Sequence, residues 1–163
     1  MKRLLIVWHS RTGAARAMAD AAARGASAET GVETVMLSAE AAGAADLLAA
    51  DGYLFACPEN LAAMSGAMKE FFDRNYYPVL ERLNGRPYAM LIAAGSDGTG
   101  AVRQMARITL GWRLKPIAEP IIVCTHAQAP EAIEAPKAVA EADLTRCQEL
   151  GSALAAGLSM GVF

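Results

Sequence analysis

Five short, almost continuous apolar runs, each followed by a helical pattern, restrict what this chain can fold into. The runs cover residues 3–8, 32–38, 51–58, 86–95 and 117–125. They do not alternate between apolar and polar residues, so they indicate strands that are buried on both faces. Such strands are typical of a parallel sheet that carries helices on each side.

Helical segments separate the runs and complete a repeated β-α pattern. Apolar residues recur at helical spacing in residues 13–28, 66–77, 100–112 and 134–157, and more weakly in residues 39–50. The alternation predicts a doubly wound α/β fold with right-handed crossovers and the strand order 2-1-3-4-5. In such sheets ligands lie beyond the carboxyl ends of the strands, near the point between strands 1 and 3 where the winding reverses.

Local signals set the ends of several predicted elements. Ser65 is placed as the N-cap of one helix with Pro78 as its stop, and Thr99 is placed as the cap of the next. Pro58 is expected to end the third strand, because proline cannot donate to a ladder. We find no linker and no repeat, so residues 1–163 are expected to form one domain.

Charge and cysteine content exclude several classes of protein. The formal net charge is -2, which argues against a nucleic-acid-binding protein, since that class has an excess of basic residues. The three cysteines form no CxxC and no metal-ligand spacing, so they are expected to be reduced thiols, and no metal site is predicted. No apolar run approaches the length of a membrane span, and we expect a cytoplasmic protein without a membrane partner.

The loop after the first strand, HSRTGAA at 9–15, has the features of an anion site. It offers two hydroxyl groups, a glycine for a tight turn and the unpaired amides that open a helix. The candidate ligands are Ser10, Arg11, Thr12, Gly13, Ala14 and Ala15. The alternative is a plain strand-to-helix turn in which Thr12 only caps the helix.

Other phosphate-binding loops do not fit this stretch. A P-loop needs a lysine after its second glycine, and a dinucleotide fingerprint needs GxGxxG, and neither occurs here. A cysteine-based phosphatase needs a cysteine at the end of strand 1, where this chain has Trp8 and His9. A receiver domain needs an aspartate after strand 1 or strand 3, and the latter offers only Glu59.

Two further loops are predicted at the same edge of the sheet. CPENLAAMSG at 57–66 supplies the candidates Pro58, Glu59, Asn60, Leu61, Ala62 and Ala63, and its apolar residues suit a flat ring. AGSDGTGA at 94–101 supplies Gly95, Ser96, Asp97 and Gly98, whose glycines allow a ligand to approach the backbone closely. The alternative for the loop at 57–66 is an ordinary loop whose Leu61 and Met64 cover the core. The alternative for the loop at 94–101 is a glycine-rich turn without a ligand.

These three loops resemble those of the flavodoxin-like superfamily, most closely the NAD(P)H-dependent FMN reductases and the flavodoxin-like quinone reductases. IVWHSRTGAARAMA is similar to the first strand and the T/S-x-T-G-x-T phosphate loop of that superfamily. CPENLAAMSGAMKEFFDR is similar to the second flavin loop of the quinone reductases and the helix after it, and GSDGTGA stands in the third flavin loop. The resemblance covers nearly the whole chain.

The resemblance implies an FMN cofactor that the sixteen candidate residues would hold, with NAD(P)H as a transient electron donor. It implies a small-molecule acceptor such as a quinone, and it names no catalytic acid or base. His9 and His126 both lie near strand ends; His9 is a candidate to flank the phosphate, and His126 is expected to be peripheral. Relatives form dimers or tetramers, and residues 75–85 are a candidate for such a surface.

The chain also departs from the pattern of the family. Ala15 replaces the last threonine of the phosphate loop, and Glu59, Asn60, Ala62 and Ala63 replace threonine, arginine, glycine and asparagine in the second loop. Glu59 would place a negative charge near the ring. Two alternatives therefore stand beside a reductase: an electron carrier of the flavodoxin type, for which a net charge of -2 is weak support, and a binding protein that has lost flavin.

Overall fold

A parallel sheet with helices on both faces forms the framework of the molecule. The computed structural model describes all residues, 1–163. Its strands are β1 (Lys2–Trp8), β2 (Val32–Ser38), β3 (Gly52–Asn60), β4 (Ala63–Met64), β5 (Pro87–Ala94), β6 (Lys115–Pro116) and β7 (Ile121–Cys124). Its helices are α1 (Ala14–Ser27), α2 (Ala44–Ala49), α3 (Gly66–Val79), α4 (Thr99–Gly111), α5 (Pro130–Glu134) and α6 (Glu141–Met160).

The order of the strands confirms the predicted arrangement 2-1-3-4-5. The sheet runs β2-β1-β3-β5, and all of these neighbours are parallel. The fifth position is divided between two short strands: β6 pairs with the start of β5, and β7 pairs with Leu91–Ala94 at its end. The predicted strand 117–125 is shorter in the structure, where it consists of Ile121–Cys124 and begins after Pro120, which has no amide to donate to the ladder.

Both faces of the sheet are buried, as the continuous apolar runs predict. Along β1, Leu5 and Val7 face α2, α3 and α4, whereas Leu4 and Ile6 face α1 and α6. The first face is rich in aromatic side chains and the second in alanine. The alanine-rich face allows its helices to lie close to the sheet and to one another.

The closest helix contact is the crossing of α1 and α6. A Cβ atom added to Gly25 would lie 1.9 Å from the carbonyl oxygen of Gln148, and one added to Gly151 would lie 2.0 Å from that of Ala22. Neither position has room for a side chain. The two glycines therefore set the distance between these helices.

Two predicted helix boundaries are wrong. The segment 134–157 is not one helix, because Pro136 disfavours the helical conformation at the residue before it, and residues 135–140 are extended between α5 and α6. Pro78 does not stop α3, which continues to Val79. No helix in the structure is long and apolar enough to cross a membrane.

Candidate functional site

The turn between β1 and α1 is built around Gly13. Its φ of 103° lies in the left-handed region, which glycine adopts without steric cost. The hydroxyl oxygen of Ser10 accepts a hydrogen bond from the Gly13 amide at 3.1 Å. Gly13 is the N-cap, and no side chain caps α1, so the alternative in which Thr12 caps this helix is wrong.

A row of backbone amides beside this turn has no acceptor within the chain. It consists of the amides of Arg11, Thr12, Ala14, Ala15 and Arg16. Amides at the start of a helix need a partner, and the dipole of the helix favours an anion there. The geometry of this loop therefore suits a phosphate group.

The basic residues near this loop differ in the contacts that they form. Arg16 bonds to Asp20 at 3.0 Å and lies 4.2 Å over the ring of Trp8. Arg11 is exposed and forms no ion pair. Residues 135–140 cross the loop, where the amide of Lys137 donates to the carbonyl oxygen of Thr12 at 2.8 Å. Lys137 is absent from the sixteen predicted site residues.

The segment after β3 is a β-hairpin instead of the expected loop. β3 continues through Pro58, which is in register with Ala93 of β5, and β4 pairs with it antiparallel. The prediction that Pro58 ends the strand is wrong, since its carbonyl oxygen still accepts from the amide of Ser65 at 3.1 Å.

The tip of this hairpin has an unusual backbone. Leu61 and Ala62 both have positive φ, 51° and 64°, in a two-residue turn that usually contains asparagine, aspartate or glycine. Leu61 is fully exposed, so it does not cover the core, whereas Met64 is buried. Non-glycine residues in this region of φ are a form of backbone strain that is found preferentially at functional sites.

Glu59 joins the hairpin to the loop after β5. Its two carboxylate oxygens accept from the amides of Gly98 and Ala101, at 2.9 and 3.1 Å, at the start of α4. A Cβ on Gly100 would lie 2.1 Å from the carbonyl oxygen of Ala62, so the hairpin tip lies directly against this helix. The amides that open α4 are thus occupied by Glu59, whereas those that open α1 are not.

The loop after β5 is held by its own side chains. Asp97 accepts from the hydroxyl group and the amide of Thr99, at 2.7 and 3.2 Å, and these hydrogen bonds lower its pKa. Thr99 is the first residue of α4, and the N-cap is Gly98, with φ of 92°. The prediction of Thr99 as the cap is therefore wrong, because Glu59 and Asp97 meet that need.

His9 connects the first loop to the base of the hairpin. Its Nδ1 lies 2.8 Å from the hydroxyl oxygen of Ser65, which is fully buried, and its Nε2 lies 3.9 Å from a carboxylate oxygen of Glu40. Burial raises the pKa of the nearby Cys57 thiol to about 12. Ser65 is the N-cap residue of α3 as predicted, but its hydroxyl group contacts His9 and caps no amide.

These contacts make the three predicted loops one continuous edge. β1, β3 and β5 are neighbours in the sheet, so their carboxyl ends meet there. His9 bridges the first loop to the hairpin, and Glu59 bridges the hairpin to the third loop. A separate groove of about 450 Å³ lies between α3 and α4, and no residue of the three loops lines it.

Comparison with known proteins places the chain in a family. Residues 41–129, more than half of the chain, match the model of the NADPH-dependent FMN reductases. The chain belongs to the NADPH-dependent FMN reductase family. The match includes the hairpin, the third loop, and α3 and β5 between them.

One curated relative is a flavodoxin. The chain is 30% identical to a flavodoxin of Aquifex aeolicus (strain VF5) over 100 residues, which are 61% of this chain and 54% of that protein. The matched region thus spans about half the length of this curated relative.

The fold is similar to a flavodoxin from the domain Archaea, with a TM-score of 0.76 and 19% identity over 96% of this chain and 98% of that one. A flavodoxin WrbA-like protein from Agrobacterium tumefaciens has a TM-score of 0.77 and 16% identity, over 98% and 99% of the two chains. A flavodiiron protein from Giardia intestinalis has a TM-score of 0.77 and 18% identity, over 99% of this chain and 37% of that one. These likenesses show that the fold is flavodoxin-like.

The residues of this edge fit the phosphate of FMN. The unpartnered amides at the start of α1 provide neutral donors, and Gly13 has the left-handed backbone conformation of the turn that precedes them. Ala15 is the second residue of α1 and its side chain is buried in the core, so this chain offers no hydroxyl group at that position.

Proposed function

We propose that this chain binds FMN along this edge and uses it to pass electrons from NAD(P)H to a quinone or another small acceptor. The observation that carries the proposal is the row of free amides at the start of α1. Membership of the NADPH-dependent FMN reductase family supports the cofactor and the donor. FMN, when bound, accepts a hydride equivalent and releases its electrons to an acceptor.

In this proposal, separate sets of residues bind the phosphate and the ring of FMN. The first loop would hold the phosphate, and the hairpin together with the third loop would hold the ring. The proposed phosphate contacts are Ser10, Arg11, Thr12, Gly13, Ala14 and Ala15. The proposed ring contacts are Pro58, Glu59, Asn60, Leu61, Ala62, Ala63, Gly95, Ser96, Asp97 and Gly98.

The contacts of Glu59 give it a structural role beside the ring. Its carboxylate accepts two amide hydrogen bonds at the start of α4, where the helix dipole favours a negative charge. It fixes the hairpin whose exposed, apolar tip residue, Leu61, supplies a surface for a flat ring. Glu59 is thus a positioning residue in this proposal.

A flavodoxin-type electron carrier is the second candidate. The flavodoxin of Aquifex aeolicus at 30% identity favours it. Carriers dock on basic partners through an acidic surface, and a net charge of -2 supports this function only weakly.

Direct reduction by NADPH distinguishes the two functions. The chain is loaded with FMN, made anaerobic and mixed with NADPH while the flavin absorption band is followed. A reductase bleaches the band without a second protein, and a quinone added afterwards restores it. Bleaching by dithionite but not by NADPH or NADH would overturn the reductase proposal in favour of the carrier.

A further inference from the structure

The extended segment 135–140 lies across the loop at the start of α1. The amide of Lys137 donates to the carbonyl oxygen of Thr12 at 2.8 Å. The carbonyl oxygen of Lys137 lies 3.9 Å from where a Cβ of Gly13 would be. The backbone of Lys137 is therefore in direct contact with the turn that precedes the free amides.

The side chain of Lys137 has no counter-charge. Its ammonium group donates to the carbonyl oxygens of Ile133, at 2.8 Å, and Ala135, at the end of α5. It forms no ion pair, whereas four basic side chains on the helices do. Lys137 is also half-buried, whereas the six residues before it, 131–136, are all exposed. A cation is thus held on neutral acceptors, and it belongs to a residue whose backbone contacts the loop that carries the free amides.

A lysine stem is long and flexible enough to exchange these carbonyl contacts for an anion on the neighbouring loop. Arg16 is less available, because it is bound to Asp20 and stacked on Trp8. We propose that Lys137 is a specificity-determining residue of the FMN site, where its ammonium group pairs with the terminal phosphate. The chain would then prefer the phosphorylated flavin to riboflavin through this contact as well as through the amides.

This inference rests on the proposed function, since it concerns the ligand of the same site. A hydrogen bond between an ammonium group and a phosphate is charge-assisted and stronger than a neutral one. Loss of one such contact at a partly exposed site weakens binding by about tenfold. Because riboflavin has no phosphate, its affinity is expected to stay unchanged.

The test compares the dissociation constants of FMN and riboflavin, measured by quenching of flavin fluorescence. Four chains are used: the wild type, Lys137→Met, Lys137→Arg and the control Lys115→Met. Lys115 is an exposed residue of β6 without an ion pair, outside all three loops. Melting temperatures show that all four chains are folded.

Lys137→Met is expected to weaken FMN binding about tenfold, leave riboflavin binding unchanged and reduce the salt dependence of FMN binding. Lys137→Arg should restore most of the affinity, and Lys115→Met should match the wild type. Unchanged FMN affinity in Lys137→Met, or equal losses for FMN and riboflavin, would overturn this inference and leave the proposed function standing. Failure of the wild-type chain to bind either flavin would overturn both.

Discussion

The carboxylate of Glu59 accepts a hydrogen bond from the amide of Gly98 at 2.9 Å, and this contact joins the hairpin after β3 to the helix after β5. Its second oxygen accepts from Ala101. One side chain therefore caps a helix whose start is 39 residues further along the chain. It also sets the position of the strained hairpin tip.

Replacement of Glu59 tests this capping role. Glu59→Ala leaves the amides of Gly98 and Ala101 without acceptors, so the free energy of unfolding should fall by about 1–2 kcal/mol. Glu119→Ala removes an exposed carboxylate without a hydrogen bond and should change stability by less than about 0.5 kcal/mol. Urea unfolding measures both variants, and equal values for the two would show that the cap contributes nothing.

The close crossing of α1 and α6 predicts that a glycine-to-alanine change there destabilises the protein instead of stabilising it. In an open helical position this change stabilises a protein slightly, as we expect for Gly66→Ala, where nothing lies within 4 Å of the added Cβ. Gly25→Ala places its Cβ 1.9 Å from the Gln148 carbonyl oxygen, so it should destabilise by about 1–3 kcal/mol. Thermal unfolding of the two variants decides the matter, and a Gly25→Ala chain as stable as the wild type would contradict the close crossing.

Three buried groups predict a loss of stability in alkali. Burial raises the pKa of Cys57 and Tyr53 to about 12 and that of Cys147 to about 11, from usual values of 9 for the thiols and 10 for the phenol. The unfolded chain therefore loses these protons at lower pH than the folded one. Their contribution is complete below about pH 9 and is lost progressively as the pH rises towards 12.

Unfolding measured between pH 8 and about pH 11 tests this dependence. Cys57→Ala should show a shallower alkaline loss than the wild type, and Cys124→Ala, at a half-buried position, serves as its control. An alkaline slope in Cys57→Ala that equals that of the wild type would contradict a buried, neutral thiol at this position.

The left-handed conformation of Gly13 predicts a defect in stability and in binding. Gly13→Ala should cost about 1–3 kcal/mol in strain and should weaken FMN binding, because the turn directs the free amides. Gly85→Ala is a matched control, since its φ of 79° imposes a similar strain and no atom lies near the added Cβ. Gly85→Ala should lose stability but keep its FMN affinity, and equal FMN losses in both variants would contradict a role for Gly13 in the site.

The sheet and the edge that carries the site could be predicted from local patterns. Apolar runs at 3–8 and 51–58 indicate buried strands whatever the rest of the chain does, and helices between them require a parallel arrangement. The strand order then places the three loops together. The structure confirms this strand order. The role of each residue in binding stays a prediction.

The details of the edge depend on contacts between distant residues, which local patterns do not contain. The bond from Glu59 to Gly98 spans 39 positions, and the turn at Leu61 and Ala62 lacks the glycine or asparagine that would have indicated it. Lys137 is not among the predicted site residues, because residues 134–157 repeat apolar residues at helical spacing and predict a helix there. Pro136 was the signal that the helix could not start there.

Titration of the wild-type chain with FMN tests the central claim most directly. Flavin fluorescence, followed as protein is added, measures both affinity and stoichiometry. Our account predicts saturable quenching at one FMN per chain, with riboflavin binding more weakly than FMN. A folded chain that is purified without flavin absorption and does not take up added FMN would contradict this account. It would identify a flavodoxin-like fold that does not bind flavin.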